Sequence, residues 1–266
     1  MQNAVNNSTS GDVINVSPGT YTENIKITKD NLTIRSASGN PDDTIIQAGN
    51  PNDNVFLLKA DNVTISGFKI LGATDSRHAG VYLSSCNNCT IENNKLLNNG
   101  LGIYTLYSKG NMISNNTVTD GGEYGIAIQS SEYNNISENT ASNNSRGVYF
   151  GNSDGNTLSS NTVQNNSVYG FFICSRSDEN HIFNNYFNNT KMIINNGKGN
   201  SYNTTKTAGT NIVGGSYIGG NFWGKPDGTG FSQTSVDKDG DGIADSPYTN
   251  ITNSKYSDYL PIVEHK

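Results

Sequence analysis

The chain contains 266 residues, carries a formal net charge of −6 and is only 33% hydrophobic. Its 17 Lys and Arg residues are scattered rather than clustered, so we expect no nucleic-acid partner. No apolar run of about 18 residues occurs, so we expect no insertion into a membrane. Aliphatic and aromatic residues nevertheless recur at regular intervals, which a disordered chain would not need.

The first part of the chain contains short strand-like segments with irregular spacing. Residues 1–10 are predicted to form a short helical cap, because the open end of a stacked sheet exposes strand edges that need covering. Strand-like segments follow at residues 13–16, 25–27 and 44–48. We therefore expect the repeating domain to begin at residue 11.

From residue 80 onward the sequence repeats in three columns. A glycine before an apolar residue recurs at Gly80, Gly102, Gly125, Gly147 and Gly170. An apolar residue recurs at Ile91, Ile113, Ile136, Leu158 and Ile182. An asparagine recurs at Asn94, Asn116, Asn139, Asn161 and Asn185. One shared period of about 23 residues predicts an all-β fold, a right-handed parallel β-helix of about eight coils over residues 11–210.

The recurring asparagines are predicted to line a turn of each coil. Asn tolerates the left-handed backbone conformation that a sharp turn requires. Stacked amide groups can also form hydrogen bonds along the axis of the stack. We assign this column a structural role and no chemistry.

A second column of the Gly-led strands contains aromatic residues that must face outward, since side chains alternate along a strand. These residues are Tyr82, Tyr104, Tyr149 and Phe172, with Ala127 between the second and the third. Such a row offers flat surfaces on which the sugar rings of a polysaccharide stack. It equally fits an aromatic ladder that only covers and stiffens the sheet. The sequence leaves both interpretations open.

The sequence predicts no catalytic constellation, and the catalytic residues stay unassigned. Glu132 and Asp154 share one column with Lys109, but that column lies at a solvated corner. His78 and Glu123 lie two coils apart, about 10 Å by strand spacing, which is too far for a direct acid–base pair.

Cys86 and Cys89 form a lone C-x-x-C pair. A zinc site would need four ligands, and the sequence contains no second pair. We therefore favour a turn pair, either free or closed as a small disulfide loop.

An acidic loop near the C-terminus has the spacing of a site for one calcium ion. Its carboxylates, at positions 1, 3, 5 and 9 of the pattern, are Asp237, Asp239, Asp241 and Asp245. Gly242 stands at the sharp turn, and the carbonyl group of Ile243 at position 7 completes the predicted ligand set. Position 12 is Tyr248 where an EF-hand has Glu, so we expect a free-standing loop of lower affinity. The alternative is a solvated acidic turn.

Both ends of the chain carry a family resemblance. Residues 11–25, GDVINVSPGTYTENI, resemble the opening coil of pectin-lyase-like β-helix proteins. The Asn-rich coils resemble NosD-type repeats. The ending has GGNFW at residues 219–223, DKDGDGIADSPY at residues 237–248 and DYLP at residues 258–261. It is similar to the close of NosD-like domains in surface proteins of methanogenic archaea.

This resemblance implies a β-helix on an extracellular surface, beside neighbouring domains of a larger archaeal protein. It also implies a superfamily associated with carbohydrate binding and cleavage, although it implies no particular reaction. The NosD name is linked to copper-site maturation. We expect no copper here, because the chain lacks the clustered Met, His and Cys ligands that copper requires.

The leading hypothesis is a rigid, non-catalytic spacer of a cell-surface protein that binds polysaccharide and is stabilised by calcium. Residues 211–266 are predicted to form its C-terminal capping module, which carries the acidic loop. One alternative is a polysaccharide lyase or glycoside hydrolase that acts on cell-surface glycan. Another is an adhesin that binds a protein partner.

Overall fold

A computed structural model describes residues 1–251 and 256–264. Nearly all of its strands belong to three parallel sheets, and each strand pairs with its equivalents in the adjacent coils. The first and third sheets contain eight strands, and the second contains nine. This arrangement confirms an all-β, parallel β-helix of about eight coils with a repeat of about 23 residues.

The three sheets are formed by the following elements. The first sheet contains Val13–Val16, Thr33–Ser36, Thr64–Ser66, Thr90–Glu92, Met112–Ser114, Asn135–Ser137, Thr157–Ser159 and His181–Phe183. The second contains Gly19–Thr22, Thr44–Gln47, Lys69–Leu71, Lys95–Leu97, Thr117–Thr119, Thr140–Ser142, Thr162–Gln164, Tyr186–Asn188 and Phe222–Gly224. The third contains Ile25–Ile27, Phe56–Leu58, Ala79–Ser84, Leu101–Leu106, Tyr124–Gln129, Arg146–Gly151, Tyr169–Ile173 and Ile193–Asn195. The remaining elements are the helices Gln2–Asn7 and Phe231–Thr234 and the hairpin strands Thr207–Ala208 and Tyr217–Ile218.

Side chains alternate between the core and the solvent along these short strands. In Thr90–Glu92 the central residue Ile91 is buried and both neighbours are partly exposed. Ile91 pairs with Ile65 in the coil below and with Ile113 in the coil above. Because each coil supplies an aliphatic residue at the same place, one apolar core runs along the axis.

The recurring glycines stack as one column, as predicted. A Cβ atom at Gly102 would lie 2.3 Å from the carbonyl oxygen of Gly125 and 2.2 Å from a methyl group of Val118. Glycine is therefore required here by close approach between adjacent coils.

The recurring asparagines form a buried ladder that lines one turn. The backbone N–H of Asn116 donates to Oδ1 of Asn139 at 2.9 Å, and its Nδ2 donates to the same oxygen at 3.0 Å. Its Nδ2 also donates to the carbonyl oxygen of Ile91 at 2.8 Å. The expectation of a left-handed backbone was wrong by one residue: the positive φ belongs to the preceding residue, such as Asn115 at 53°. The column asparagines face inward, where only an amide satisfies these groups.

Three further polar ladders, two of asparagine and one of serine, occupy other turns of the coils. The second asparagine ladder contains Asn111, Asn134, Asn156, Asn180 and Asn200. The third contains Asn144, Asn166 and Asn189. A column of buried serines, Ser108, Ser131, Ser153 and Ser177, accepts backbone hydrogen bonds in the same way.

Both ends of the β-helix are covered by other segments of the chain. Helix Gln2–Asn7 lies against the first coil with Val5 buried, and the Gln2 N–H donates to Glu23 at 2.7 Å. At the other end Phe222–Gly224 pairs with Tyr186–Asn188, so the predicted capping module shares a sheet with the coils. Neither helix in the described ranges is long and apolar enough to cross a bilayer.

Candidate functional site

A stack of aromatic rings closes the C-terminal end of the core. The fully buried ring of Trp223 lies 5.0 Å from that of Phe187 and 4.5 Å from that of Tyr248, and both pairs are stacked. Tyr248, at position 12 of the acidic loop, therefore packs on the core. This packing fixes one end of the acidic loop to the last coil.

A buried carboxylate lies beside this stack. Asp258 Oδ2 accepts hydrogen bonds from the Asn221 backbone N–H at 2.7 Å and from Trp223 Nε1 at 2.8 Å. Its Oδ1 accepts from the backbone N–H of Leu260 at 3.0 Å. Burial raises the pKa of Asp258 to about 7, although these hydrogen bonds lower it.

The acidic loop brings three of its four carboxylates together. Ligand oxygens of Asp237, Asp239 and Asp245 lie within 4.8 Å of one another. Asp237 organises the loop by accepting backbone hydrogen bonds from Gly240 at 2.9 Å and from Gly242 at 2.8 Å. Burial raises the pKa of Asp237, but hydrogen bonds such as these outweigh it and lower the pKa. Asp237 is therefore ionised at neutral pH.

Asp241 lies outside this cluster. Its Oδ1 accepts a hydrogen bond from the backbone of Ile243 at 2.7 Å, and its Oδ2 contacts the ammonium group of Lys206. This contact raises the pKa of Lys206. Ile243 itself forms an isolated bridge with Ile262, and its side chain is buried. Lys206 is thus paired with the carboxylate of Asp241, which the sequence pattern assigns as a ligand of the calcium ion.

The clustered oxygens fit a calcium ion. Ca²⁺ binds oxygen ligands at about 2.3–2.6 Å, so two oxygens up to about 5 Å apart can share one ion. Asp237, Asp239 and Asp245 meet this limit and would hold the ion directly. Asp241 would join them after release from Lys206. Without a cation, three carboxylates at these distances repel one another.

The predicted aromatic row lies along the third sheet. Tyr82 and Tyr104 stack with ring centroids 5.1 Å apart, and Tyr149 and Phe172 stack at 5.7 Å. All four rings are half-buried rather than widely exposed, while the core-facing residues beside them are buried. The predicted alternation between inside and outside is therefore right, and the exposure is smaller than expected.

The row is divided at its centre. Ala127 pairs with Tyr104 and Tyr149 and is fully buried between them. The ring of Tyr124, from the neighbouring column, lies 4.8 Å from that of Tyr149. Burial raises the pKa of Tyr104 and of Tyr124 to about 12, so both phenols are neutral hydrogen-bond donors.

Polar and charged residues flank the row in pairs. Arg146 Nη1 lies 3.4 Å from Glu123 Oε1, and the guanidinium group lies 5.3 Å from the centre of the Tyr124 ring. His78 Nδ1 lies 3.1 Å from a carboxylate oxygen of Asp75. The structure thus gives each of these groups a partner and does not join them into one site.

Cys86 and Cys89 are buried, free thiols. Their Sγ atoms donate to the carbonyl oxygens of Leu58 at 3.0 Å and of Ala60 at 3.3 Å. The interaction between the two neighbouring thiols lowers the pKa of Cys86 and raises that of Cys89. The Cys89 backbone N–H donates to Oδ1 of Asn111. Cys89 thus occupies the position that precedes Asn111 in the second asparagine ladder.

Most of the chain matches one protein family. A family model described as "Periplasmic copper-binding protein (NosD)" matches residues 5–228. The chain belongs to the NosD family. A protein named "Cell surface glycoprotein" from Methanothermus fervidus is 39% identical over 90 residues, which are 34% of this chain and 14% of that protein. This NosD-family chain therefore matches only a small part of that longer protein.

Solved structures with low sequence identity have a similar fold. One is the A-module of mannuronan C-5 epimerase AlgE4 from Azotobacter vinelandii, with a TM-score of 0.57 and 13% identity over 72% of this chain and 64% of that chain. Another is ORF18 of Geobacillus virus E2, with a TM-score of 0.51 and 17% identity over 76% of this chain and 53% of that chain. At these identities the similarity establishes a shared fold and no shared activity.

The family description names copper, but the side chains that the structure describes do not form a copper site. Copper prefers imidazole, thiolate and thioether ligands. His78 contacts Asp75, and Nε2 of His181 lies 3.2 Å from the carbonyl oxygen of Asn203. In residues 1–251 and 256–264, the one cluster of three or more His, Cys, Asp or Glu ligands consists of carboxylates. This donor set suits a hard cation such as calcium.

Sequence analysis did not single out three residues with unusual settings. Tyr107 and Tyr133 are 66% and 58% exposed at a corner of the coils, and Lys206 contacts the acidic loop. Both tyrosines interrupt columns of small polar residues and glycine, a signal that alignment of the coils reveals. Lys206 lies outside the repeat, beside the hairpin strand Thr207–Ala208, so no period predicts its position.

Proposed function

We propose that this NosD-family chain is a rigid spacer module of a cell-surface protein that binds polysaccharide and calcium. The stack of eight coils supports the spacer role, since its length is about 40 Å at about 4.8 Å per coil. Buried amide ladders link each coil to the next, as between Asn139 and Asn161 at 2.9 Å. A slip of one residue would leave these amides unpaired in the core, so the ladders hold the coils in register.

A location at the cell surface is supported by the relative from Methanothermus fervidus, which is named a cell surface glycoprotein. The matched segment is 14% of that protein, so neighbouring domains are the natural partners of such a module. The resemblance of the C-terminal motifs to surface proteins of methanogens agrees with this location.

Polysaccharide binding is supported by the half-exposed aromatic row. The rings of Tyr82 and Tyr104 stack on each other and keep part of their surface accessible. The neutral phenol of Tyr104 and the Arg146–Glu123 ion pair provide donors and acceptors for sugar hydroxyl groups at the same face. The flat face of a sugar ring can stack on the aromatic rings. Its hydroxyl groups can form hydrogen bonds with the adjacent polar groups.

Calcium is proposed to stabilise the C-terminal cap. The acidic loop that holds Asp237, Asp239 and Asp245 leads to the Trp223–Tyr248 stack, and its Gly242 carbonyl oxygen accepts a hydrogen bond from the Val263 N–H at 3.0 Å. A cation at this cluster removes the repulsion between the carboxylates and thereby favours the folded cap.

We do not extend the proposal to catalysis. A glycosidase places two carboxylates about 5–5.5 Å or about 6.5–9.5 Å apart across one bond. Glu123, beside the aromatic row, is instead ion-paired with Arg146. A protein-binding adhesin would use the same exposed face, and the experiment below separates it from a polysaccharide-binding module.

Native gel electrophoresis through soluble polysaccharide tests the proposal. We expect pullulan, laminarin, galactomannan or alginate to retard the calcium-saturated protein, and Y82A/Y104A to reduce the retardation. The matched control is Tyr259→Ala, since Tyr259 is 65% exposed and lies in the cap. Normal mobility in every gel would refute polysaccharide binding and leave the adhesin as the favoured function.

A further inference from the structure

The coils turn a corner between the third sheet and the first sheet through one or two left-handed residues. The first position is occupied in successive coils by Ser85, Tyr107, Ser130 and Asn152. The second position is occupied by Asn62, Asn88, Gly110, Tyr133, Gly155, Glu179 and Gly199. Glycine and asparagine adopt a positive φ at little cost, so their predominance at the second position follows from the backbone.

Tyr107 and Tyr133 depart from this pattern. Their φ angles are 51° and 53°, in a region that bulky side chains rarely adopt. Residues in such conformations tend to cluster at ligand-binding sites, where another requirement outweighs the strain. The positive φ angles of Tyr107 and Tyr133 therefore require a favourable interaction of the large side chain that compensates for the backbone strain.

Burial does not provide this compensation. Tyr107 is 66% exposed and Tyr133 is 58% exposed, more than the half-buried tyrosines of the aromatic row. Tyr133 leans across the next coil, since a Cβ atom at Gly155 would lie 2.7 Å from its ring. Tyr107 has no ring–ring contact among the described residues. The Tyr107 ring is thus held in solvent at an unfavourable backbone conformation, while the Tyr133 ring is partly covered by the next coil.

A small pocket lies between these coils. It has a volume of about 260 Å³ and is lined by Tyr107, Ser108, Lys109, Ser130 and Glu132. Polar groups and an aromatic side chain therefore meet in one shallow, open depression.

The charged groups of this pocket form no ion pair among the described residues, although Lys109 contacts an aromatic ring. The Lys109 ammonium group lies 4.6 Å from the centre of the Tyr133 ring. Neither Lys109 nor Glu132 forms an ion pair with another residue in the described ranges. The pocket thus offers a cation that donates hydrogen bonds and a carboxylate that accepts them.

We propose that this corner binds one neutral sugar ring of a polysaccharide. The Tyr107 ring provides the stacking surface, and Lys109 and Glu132 form hydrogen bonds to the hydroxyl groups. A neutral ring is favoured over a uronate because the Glu132 carboxylate and the net charge of −6 disfavour anions. This inference rests on the proposed polysaccharide binding and places its strongest contact at the corner rather than on the aromatic row.

Replacement by the residues of neighbouring coils tests the inference without disturbing the fold. In Y107N/Y133G each tyrosine becomes the residue that the same column has at Asn152 and at Gly155. Both new residues prefer the left-handed conformation, so we expect a Tm equal to or above that of the wild type. We expect at least a tenfold loss of affinity for pullulan, laminarin or galactomannan in affinity gels, and no loss in the Tyr259→Ala control.

The possible results separate the two proposals. Absence of retardation of the wild type by any polysaccharide refutes the proposed function. Full retention of affinity by Y107N/Y133G, with loss in Y82A/Y104A, overturns the corner site and leaves polysaccharide binding intact. A Tm lowered by several degrees in Y107N/Y133G shows that the tyrosines are structural and also overturns the inference. Retardation by alginate alone overturns the choice of a neutral ring.

Discussion

The carboxylate of Asp258 contacts Asn221 in the same way that the amide oxygen of Asn221 contacts Asn185. Oδ2 of Asp258 accepts a hydrogen bond from the Asn221 backbone N–H at 2.7 Å, and Oδ1 of Asn221 accepts one from that of Asn185 at 3.1 Å. Asp258 is therefore the last rung of the first asparagine ladder. Its side-chain oxygens accept hydrogen bonds from Asn221, Trp223 and Leu260.

The stability of the protein should depend on pH through Asp258. The pKa of this carboxyl is about 7 in the folded protein against the ordinary value of 3.8, so between these values the folded state holds a proton that the unfolded chain has released. Stability is therefore highest at the acidic end of this window and falls as the pH rises to about 7. The shift corresponds to at most about 4 kcal/mol.

Thermal melting in EDTA between about pH 4.5 and about pH 8 measures this effect. Asp258→Asn is the control, because it keeps an acceptor oxygen for Asn221 and has no proton to exchange; its Tm should change less across the window. Asp237 does not interfere with this measurement. Its pKa is lowered in the folded protein, so its contribution to the pH dependence of stability lies below the ordinary pKa of 3.8. Identical slopes for the two proteins would contradict a buried, proton-binding Asp258.

The ladder also predicts the cost of removing one rung. Asn139→Ala leaves the buried backbone N–H of Asn116 and the carbonyl oxygen of Ile113 without their side-chain partner. We expect a loss of about 2–4 kcal/mol in the free energy of unfolding, measured in urea. Asn135→Thr is the matched control, because Asn135 is exposed and pairs with Thr157 in the next coil. A loss below about 0.5 kcal/mol for Asn139→Ala would mean that the ladder is not needed for stability.

The fold was predictable from the sequence because each coil repeats the same buried contacts. The period of Ile91, Ile113 and Ile136 records the requirement that one apolar residue fill the core at each level. The left-handed position was misplaced by one residue because the ladder asparagine is placed by its side-chain hydrogen bonds, as at Asn116, while the preceding residue, such as Asn115, makes the turn.

The sites were less predictable because they depend on contacts outside the period. The spacing of the acidic residues places Asp237, Asp239 and Asp245 together, as a calcium-loop pattern requires. The spacing carries no information about Lys206, whose ammonium group reaches Asp241 from a different segment of chain. The calcium site and the sugar-binding row remain predictions.

Calcium should raise the melting temperature. A ligand that binds only the folded state stabilises it by about 2.7 kcal/mol at a concentration one hundred times Kd. We expect D237A/D239A to abolish the increase and to leave the circular dichroism spectrum of the coils unchanged. D53A/D61A is a control of equal charge change, since both residues lie on earlier coils. A melting temperature unaffected by calcium and by EDTA would identify the loop as a solvated acidic turn.

Removal of the Lys206 ammonium group should strengthen calcium binding. Asp241 is the one acidic residue of the predicted ligand set that lies outside the cluster, and its carboxylate contacts Lys206. Lys206→Met keeps much of the apolar side chain beside Tyr217 and releases the carboxylate, so we expect the Kd for calcium to fall by about threefold to fivefold in titration calorimetry. Lys198→Met removes the same charge from an exposed position and should change the Kd much less. Equal effects of the two variants would mean that Asp241 takes no direct part in binding and that only the net charge matters.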